Sequence, residues 1–76
     1  MIKENESLVI AARAAATGAN IHSVNTKLAK YRWSVHLHNN MEKSDPVKAE
    51  QYRVKAIQHE MELKIYLGQL AQEKQA

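Results

Sequence analysis

The chain has no cysteine and no phenylalanine, a single proline and two glycines among its 76 residues. Without thiols there is no disulfide to staple a small fold, and the zinc sites that use cysteine are excluded. A chain of this length buries a smaller share of its surface than a full-sized domain, so one thin core is expected. With disulfides gone and most structural metals with them, self-association is the remaining source of added stability. Long apolar runs are missing as well. The segment Met1-Ile2-Lys3-Glu4-Asn5-Glu6 is charged, and the Ala-rich run behind it is interrupted by Arg13, so neither a signal sequence nor a membrane span fits. The expected setting is the cytoplasm, with no membrane contact.

A further absence is local. Between Ser7 and Met41 there is no acidic residue, and the charges there are Arg13, Lys27, Lys30 and Arg32; from Glu42 to Ala76 six basic and six acidic residues cancel. The net charge of +3 therefore belongs to the first half. A basic half can attract nucleic acid, an anionic surface or an acidic protein.

What is present favours helix nearly throughout, with Ala, Leu, Lys, Glu and Gln frequent. The fold class expected is all-α, a helical hairpin broken at Ser44-Asp45-Pro46, where Asp45 suits an N-cap and Pro46 the first helical position. The second helix of the hairpin should run from Pro46 to about Gln72. A second candidate break falls at Thr17-Gly18-Ala19-Asn20, with Gly18 at a C′ position and Asn20 as a cap. A helix from about Asn5 to Thr17 would then stand apart from one over about Asn20 to Asn39. The apolar row Ile10, Ala14, Thr17, Ile21, Val24, Leu28, Tyr31, Val35 passes through that break without a phase shift and would suit one continuous helix. Ala11, Ala15 and Ala19 lie four apart on one ridge, which suits either close helix packing or plain helix propensity. The whole chain, 1–76, is expected to be a single domain.

Projected as a helix, the segment after Pro46 places Tyr52, Ala56, Leu63, Tyr66, Leu67 and Leu70 on one face and Val47, Val54, Ile57, Met61 and Ile65 on the other. The first half repeats the pattern, with Ile10, Ile21, Val24, Leu28 and Val35 opposite Leu8, Ala12, Ala15, Ala19, Trp33 and Leu37. One hairpin cannot cover four apolar faces, so a second copy or another protein is expected to complete a bundle. The interface residues expected from this are Trp33, Leu37, Val54, Ile57, Met61 and Ile65.

Residues for chemistry are sparse. The four histidines, His22, His36, His38 and His59, lack ligand spacing: His36 and His38 point roughly 200° apart on a helix, and His59-Glu60-Met61-Glu62 has no second histidine. There is no Gly-rich phosphate loop, no G-x-S-x-G and no thiol nucleophile. The expectation is a protein that is not an enzyme, with no metal, no cofactor and no small-molecule substrate.

The pattern Ala14-x-x-x-Gly18-Ala19-Asn20-x-x-Ser23-Val24-Asn25 resembles a helix-turn-helix of the repressor type. That resemblance implies that Ala14 lets the first helix pack on the second, Gly18 makes the turn, Asn20 caps the recognition helix and Val24 anchors it. Ile21, His22, Asn25, Thr26 and Lys30 would then approach the major groove, with Lys27 and Arg32 on phosphates. The sequence departs from the family at Arg13 and Lys27, which stand at its buried aliphatic positions, and in a recognition helix reaching about His38. Tyr31 and Trp33 among Lys27, Lys30, Arg32 and His36 offer a different nucleic-acid reading, stacking on single-stranded bases, although the apolar row favours a core position for Tyr31. The leading expectation is a small helical adaptor, regulator or inhibitor acting through protein contacts and self-associating as a homo-oligomer, followed by a dimeric DNA-binding regulator and then by a structural assembly subunit.

Overall fold

The computed structural model describes residues 1–75 as three α-helices: α1 (Glu6–Ala15), α2 (Ile21–Met41) and α3 (Pro46–Gln75), with a 3-10 turn at Gly18–Asn20. No strand occurs among the described residues. The molecule is a rod of 48 × 18 × 16 Å. Its long axis is set by α3, whose 30 residues rise about 45 Å.

The first and third helices begin at side-chain caps. Asn5 Oδ1 accepts the Leu8 N–H at 3.1 Å to open α1, and Glu6 and Arg13 sit at the ends where their charges complement the helix dipole. Asp45 opens α3 in the expected way, its Oδ1 accepting the Lys48 N–H at 3.1 Å and its carbonyl the Ala49 N–H at 2.9 Å. Pro46 follows at the first helical position, where its missing N–H costs nothing.

The break at Gly18 is present, so α1 and α2 are separate helices. Gly18 has φ +57°, and Thr17 before it is extended at φ −136°. Asn20 does not cap α2 as expected. Its Oδ1 reaches back instead to accept the Thr17 N–H at 2.7 Å, closing the turn on itself. The break also resets the helical phase. Ile10, expected to share a face with Val24 and Leu28, is exposed, while Leu8, Val9 and Ala12 pack beside them in the core. The Ala11, Ala15, Ala19 ridge is likewise cut, because Ala19 lies in the turn and Ala11 is exposed; the small residue at the close approach is Ala12, with no exposed surface.

The remaining core comes from α2 (Val24, Leu28, Tyr31, Val35) and α3 (Ala56, Leu63), with Ile2, Ala16, Tyr66, Leu67 and Leu70 packed around it. Tyr31 is a core residue, and its hydroxyl accepts the Asn5 N–H at 2.7 Å. Burial pushes the Tyr31 phenol above its ordinary pKa. Near the hairpin turn, His38 Nδ1 lies 2.6 Å from the Ala49 carbonyl oxygen; a carbonyl only accepts, so Nδ1 carries the proton and ties α2 to the first turn of α3. Ser34 Oγ donates to the Lys30 carbonyl at 2.9 Å. No buried side-chain N or O atom among the described residues lacks a partner.

The first five residues form a strap along α2. Ile2 exchanges two hydrogen bonds with the Asn39 side chain, at 2.9 and 3.0 Å; Glu4 pairs with Arg32; and the Met1 amino group meets Glu42. The partner positions fall from Glu42 to Tyr31 as the strap advances, so it runs opposite to α2, and α1 continues from Tyr31 back toward Ile21.

Candidate functional site

The surfaces left open follow from how α3 is used. Its inner face carries Ala49, Ala56 and Leu63, buried at seven-residue intervals, flanked by half-buried Tyr52, Tyr66, Leu67 and Leu70. The face opposite holds Val47 (71% exposed), Val54 (42%), Ile57 (47%), Met61 (56%) and Ile65 (59%). Four of these are interface residues expected from the sequence; Val47 extends their row to the first turn of the helix. The result is an exposed apolar stripe along most of α3, bordered at Ile57 by Ile2 and Lys3 of the N-terminal segment and at Ile65 by Lys27 of α2. Monomeric proteins rarely leave contiguous apolar patches beyond a few hundred Å².

The margins of the stripe are polar and electrically quiet. Gln51, Lys55, Gln58, Glu62 and Gln69 line one side, with one charge of each sign. On the other, Arg53 donates to both carboxylate oxygens of Glu50, and Lys64 pairs with Glu60 at 3.3 Å. The Arg53 guanidinium holds the Glu50 carboxyl below the usual carboxylate range, and the guanidinium is itself raised by the same bond.

The outer face of α2 differs. Trp33 is 60% exposed and stacks on His36, with ring centroids 5.3 Å apart and planes 28° apart. Asn25, Thr26, Ala29, Lys30 and Arg32 are exposed along the same helix, whereas Leu37 is half-buried. Together with Ile2, Glu4 and Asn39, the residues Ala29, Arg32, Trp33 and His36 line a shallow open groove. Trp33 projects away from the core residues Val24, Leu28, Tyr31 and Val35 of its own helix, so it and the α3 stripe occupy separate faces.

The candidate nucleic-acid residues are brought only partly together. Asn25, Thr26 and Lys30 face solvent. Arg32 is engaged by Glu4, and the Lys27 ammonium lies 5.0 Å from the centre of the Tyr66 ring, a cation–π contact inside the chain. Tyr31 is buried and offers no stacking surface. Gly18 does make the turn that the helix-turn-helix resemblance requires. α1 packs on both other helices, its Leu8, Val9 and Ala12 sharing the core with Val24 and Leu28 of α2 and with Ala56 and Leu63 of α3.

The histidines are dispersed: His38 on Ala49, His36 against Trp33 and Asn40, His59 beside Glu62, and His22 in solvent. No group of three His, Asp or Glu side chains among the described residues converges on a site for an ion. No described helix is long and apolar enough to cross a membrane. The N-terminal strap is the feature that the sequence concealed, because Ile2 is one apolar residue among charges and its Asn39 partner lies far along the chain. No family model matches the chain, and no curated protein or solved structure shows significant similarity to it.

Proposed function

We propose that this chain is a non-enzymatic helical adaptor, regulator or inhibitor that works through protein–protein contacts in the cytoplasm, with a second copy of itself among its partners. The observation that carries this reading is the exposed apolar stripe Val47, Val54, Ile57, Met61, Ile65 on α3. Burying such a side chain fully is worth about 1.5–3 kcal/mol, and roughly half of that remains to be gained at each of these positions. The gain is available to any partner whose surface complements the stripe.

Sedimentation equilibrium over a wide concentration range, with binding of an apolar dye measured in parallel, tests the reading. Concentration-dependent association supports a self-pairing protein. A monomer that binds dye points to an outside partner, and a monomer that binds none refutes the proposal.

The second reading, a dimeric DNA-binding regulator, is supported by the positive φ at Gly18 and by an α2 without a single acidic residue. Fluorescence anisotropy with a random-sequence duplex separates the two. Binding that weakens steeply with salt favours DNA; no binding at low salt removes that reading. A structural assembly subunit ranks third and would be marked by open-ended oligomers in place of a closed dimer.

A further inference from the structure

We infer that the surface of α2 beneath the strap is a recognition site for an extended segment of another protein, one that carries an aliphatic residue two places before an acidic one. Strap residues 2–4 occupy that site as an internal stand-in. This deepens the protein-contact reading above, on which it rests, by giving the partner's chemistry, and it does not draw on the stripe along α3.

The strap is held as a bound peptide is held. Asn39 exchanges two hydrogen bonds with the backbone of one residue, accepting the Ile2 N–H at 2.9 Å and donating to the Ile2 carbonyl at 3.0 Å. A side-chain amide used in this way reads an extended main chain and leaves the residue's identity open. The surroundings set that identity. Ile2 packs against the core at a cleft lined by Tyr31, Val35 and Ala56, which asks for an aliphatic side chain. Two places on, Glu4 pairs with Arg32. No acidic residue on α2 competes for that guanidinium, so the occupant of the site must bring the acid.

The strap fills only part of what is there. Ile2 and Glu4 line an open groove together with Ala29, Trp33 and His36, and Trp33 stays 60% exposed in it. An outside segment with a bulkier residue on the same anchors would cover the indole as well, a contact the strap does not make. The strap's own hold is slight, one half-buried aliphatic side chain, two bonds to Asn39 and an ion pair at the surface. Its release leaves α1 in place. Asn5 stays behind, with its side chain capping α1 and its N–H on the Tyr31 hydroxyl.

Ile2→Ser with Glu4→Gln removes both side-chain anchors of the strap, spares the receiving residues and should keep the far-UV circular dichroism. The probe is a labelled, acetylated peptide with the sequence of residues 1–6, read by fluorescence anisotropy. Emission from Trp33, the chain's one tryptophan, reports whether it binds at the groove. The double variant should bind the peptide with a Kd lower than the parent's by about tenfold or more, since the peptide meets only those parent chains whose strap is out. Adding Arg32→Glu to the double variant should abolish binding, and a peptide carrying Glu4→Lys should restore it. No binding by the folded double variant at millimolar peptide, or binding indifferent to Arg32→Glu, would overturn the site. Equal affinity of parent and double variant would overturn the strap's part as its occupant. A chain that associates in sedimentation but fails these peptide tests keeps the protein-contact reading and loses this site alone.

Discussion

Replacing Gly18 by alanine distinguishes a turn from a continuous helix by the sign of its effect. Gly18 sits at φ +57°, and a Cβ added there meets nothing within 4 Å, so the cost is backbone strain and not collision. Holding an L-residue in the left-handed region costs about 1–2 kcal/mol. The lower entropy of the unfolded alanine chain returns about 0.4–1 kcal/mol of this. The net expectation is a loss of about 1 kcal/mol, or a fall in Tm of about 4–8 °C for a domain of this size. Had Gly18 lain inside one unbroken helix, alanine would have stabilised it by about 1 kcal/mol. Urea and thermal denaturation followed by circular dichroism give the answer, with protein concentration held fixed so that association does not enter the comparison. Gly18→Asn serves as the control, since asparagine tolerates the left-handed region and should lose less than alanine. A Gly18→Ala protein as stable as the parent, or more so, would refute the turn.

Tyr31→Phe removes the acceptor of the part-buried Asn5 N–H and should cost about 1–2 kcal/mol in urea denaturation, with faster hydrogen exchange at the Asn5 amide. Asp45→Ala deletes the cap of α3 and should cost about 1 kcal/mol by the same measurement. Arg53→Gln should raise the Glu50 carboxyl toward its ordinary pKa in a carbon-detected NMR titration. Because the Glu50 pKa is depressed in the folded protein, the pair's small contribution is present above the unfolded pKa and is lost as pH falls through the folded one, and the variant should lack that acid-side loss. Trp33→Ala should leave self-association by sedimentation unchanged and weaken an outside partner by more than about 2 kcal/mol; weakened self-association would place Trp33 in the dimer contact.

The hairpin break was legible because Asp45-Pro46 combines a side-chain acceptor with a residue that cannot continue a preceding helix, two local effects that no tertiary contact needs to assist. The two faces of α3 were legible for a similar reason, a single helical period holding from Val47 to Leu70. The first half was harder to read. The row from Ile10 to Val35 kept one phase through Gly18, but phase is a property of continuous helix, and a single left-handed residue rotates everything before it. Ile10 was thereby exchanged for Leu8 and Val9 in the core. The basic stretch was visible as charge, yet charge does not say which cations are already spent. Glu4 lies far from Arg32 in the chain, and Tyr66 farther still from Lys27, so only the folded strap and the packed hairpin reveal those contacts.

The open stripe on α3 can be traced to the unequal lengths of the helices. α1, with 10 residues, rises about 15 Å, whereas α3, with 30 residues, rises about 45 Å. A third helix so short covers part of the hairpin's length and a single side of it. Along the rest, the strap holds to α2 through Ile2–Asn39, Glu4–Arg32 and Asn5–Tyr31, and Ile2 is its one residue packed against the core. No segment among the described residues remains to lie over Val54, Ile57, Met61 and Ile65. Partial sequestration of four isoleucine-class side chains is a large fraction of the stability a domain this small can hold. A partner that covered α3, as proposed above, would add to the folding free energy of so small a core by mass action, so that stability and association would be parts of one equilibrium.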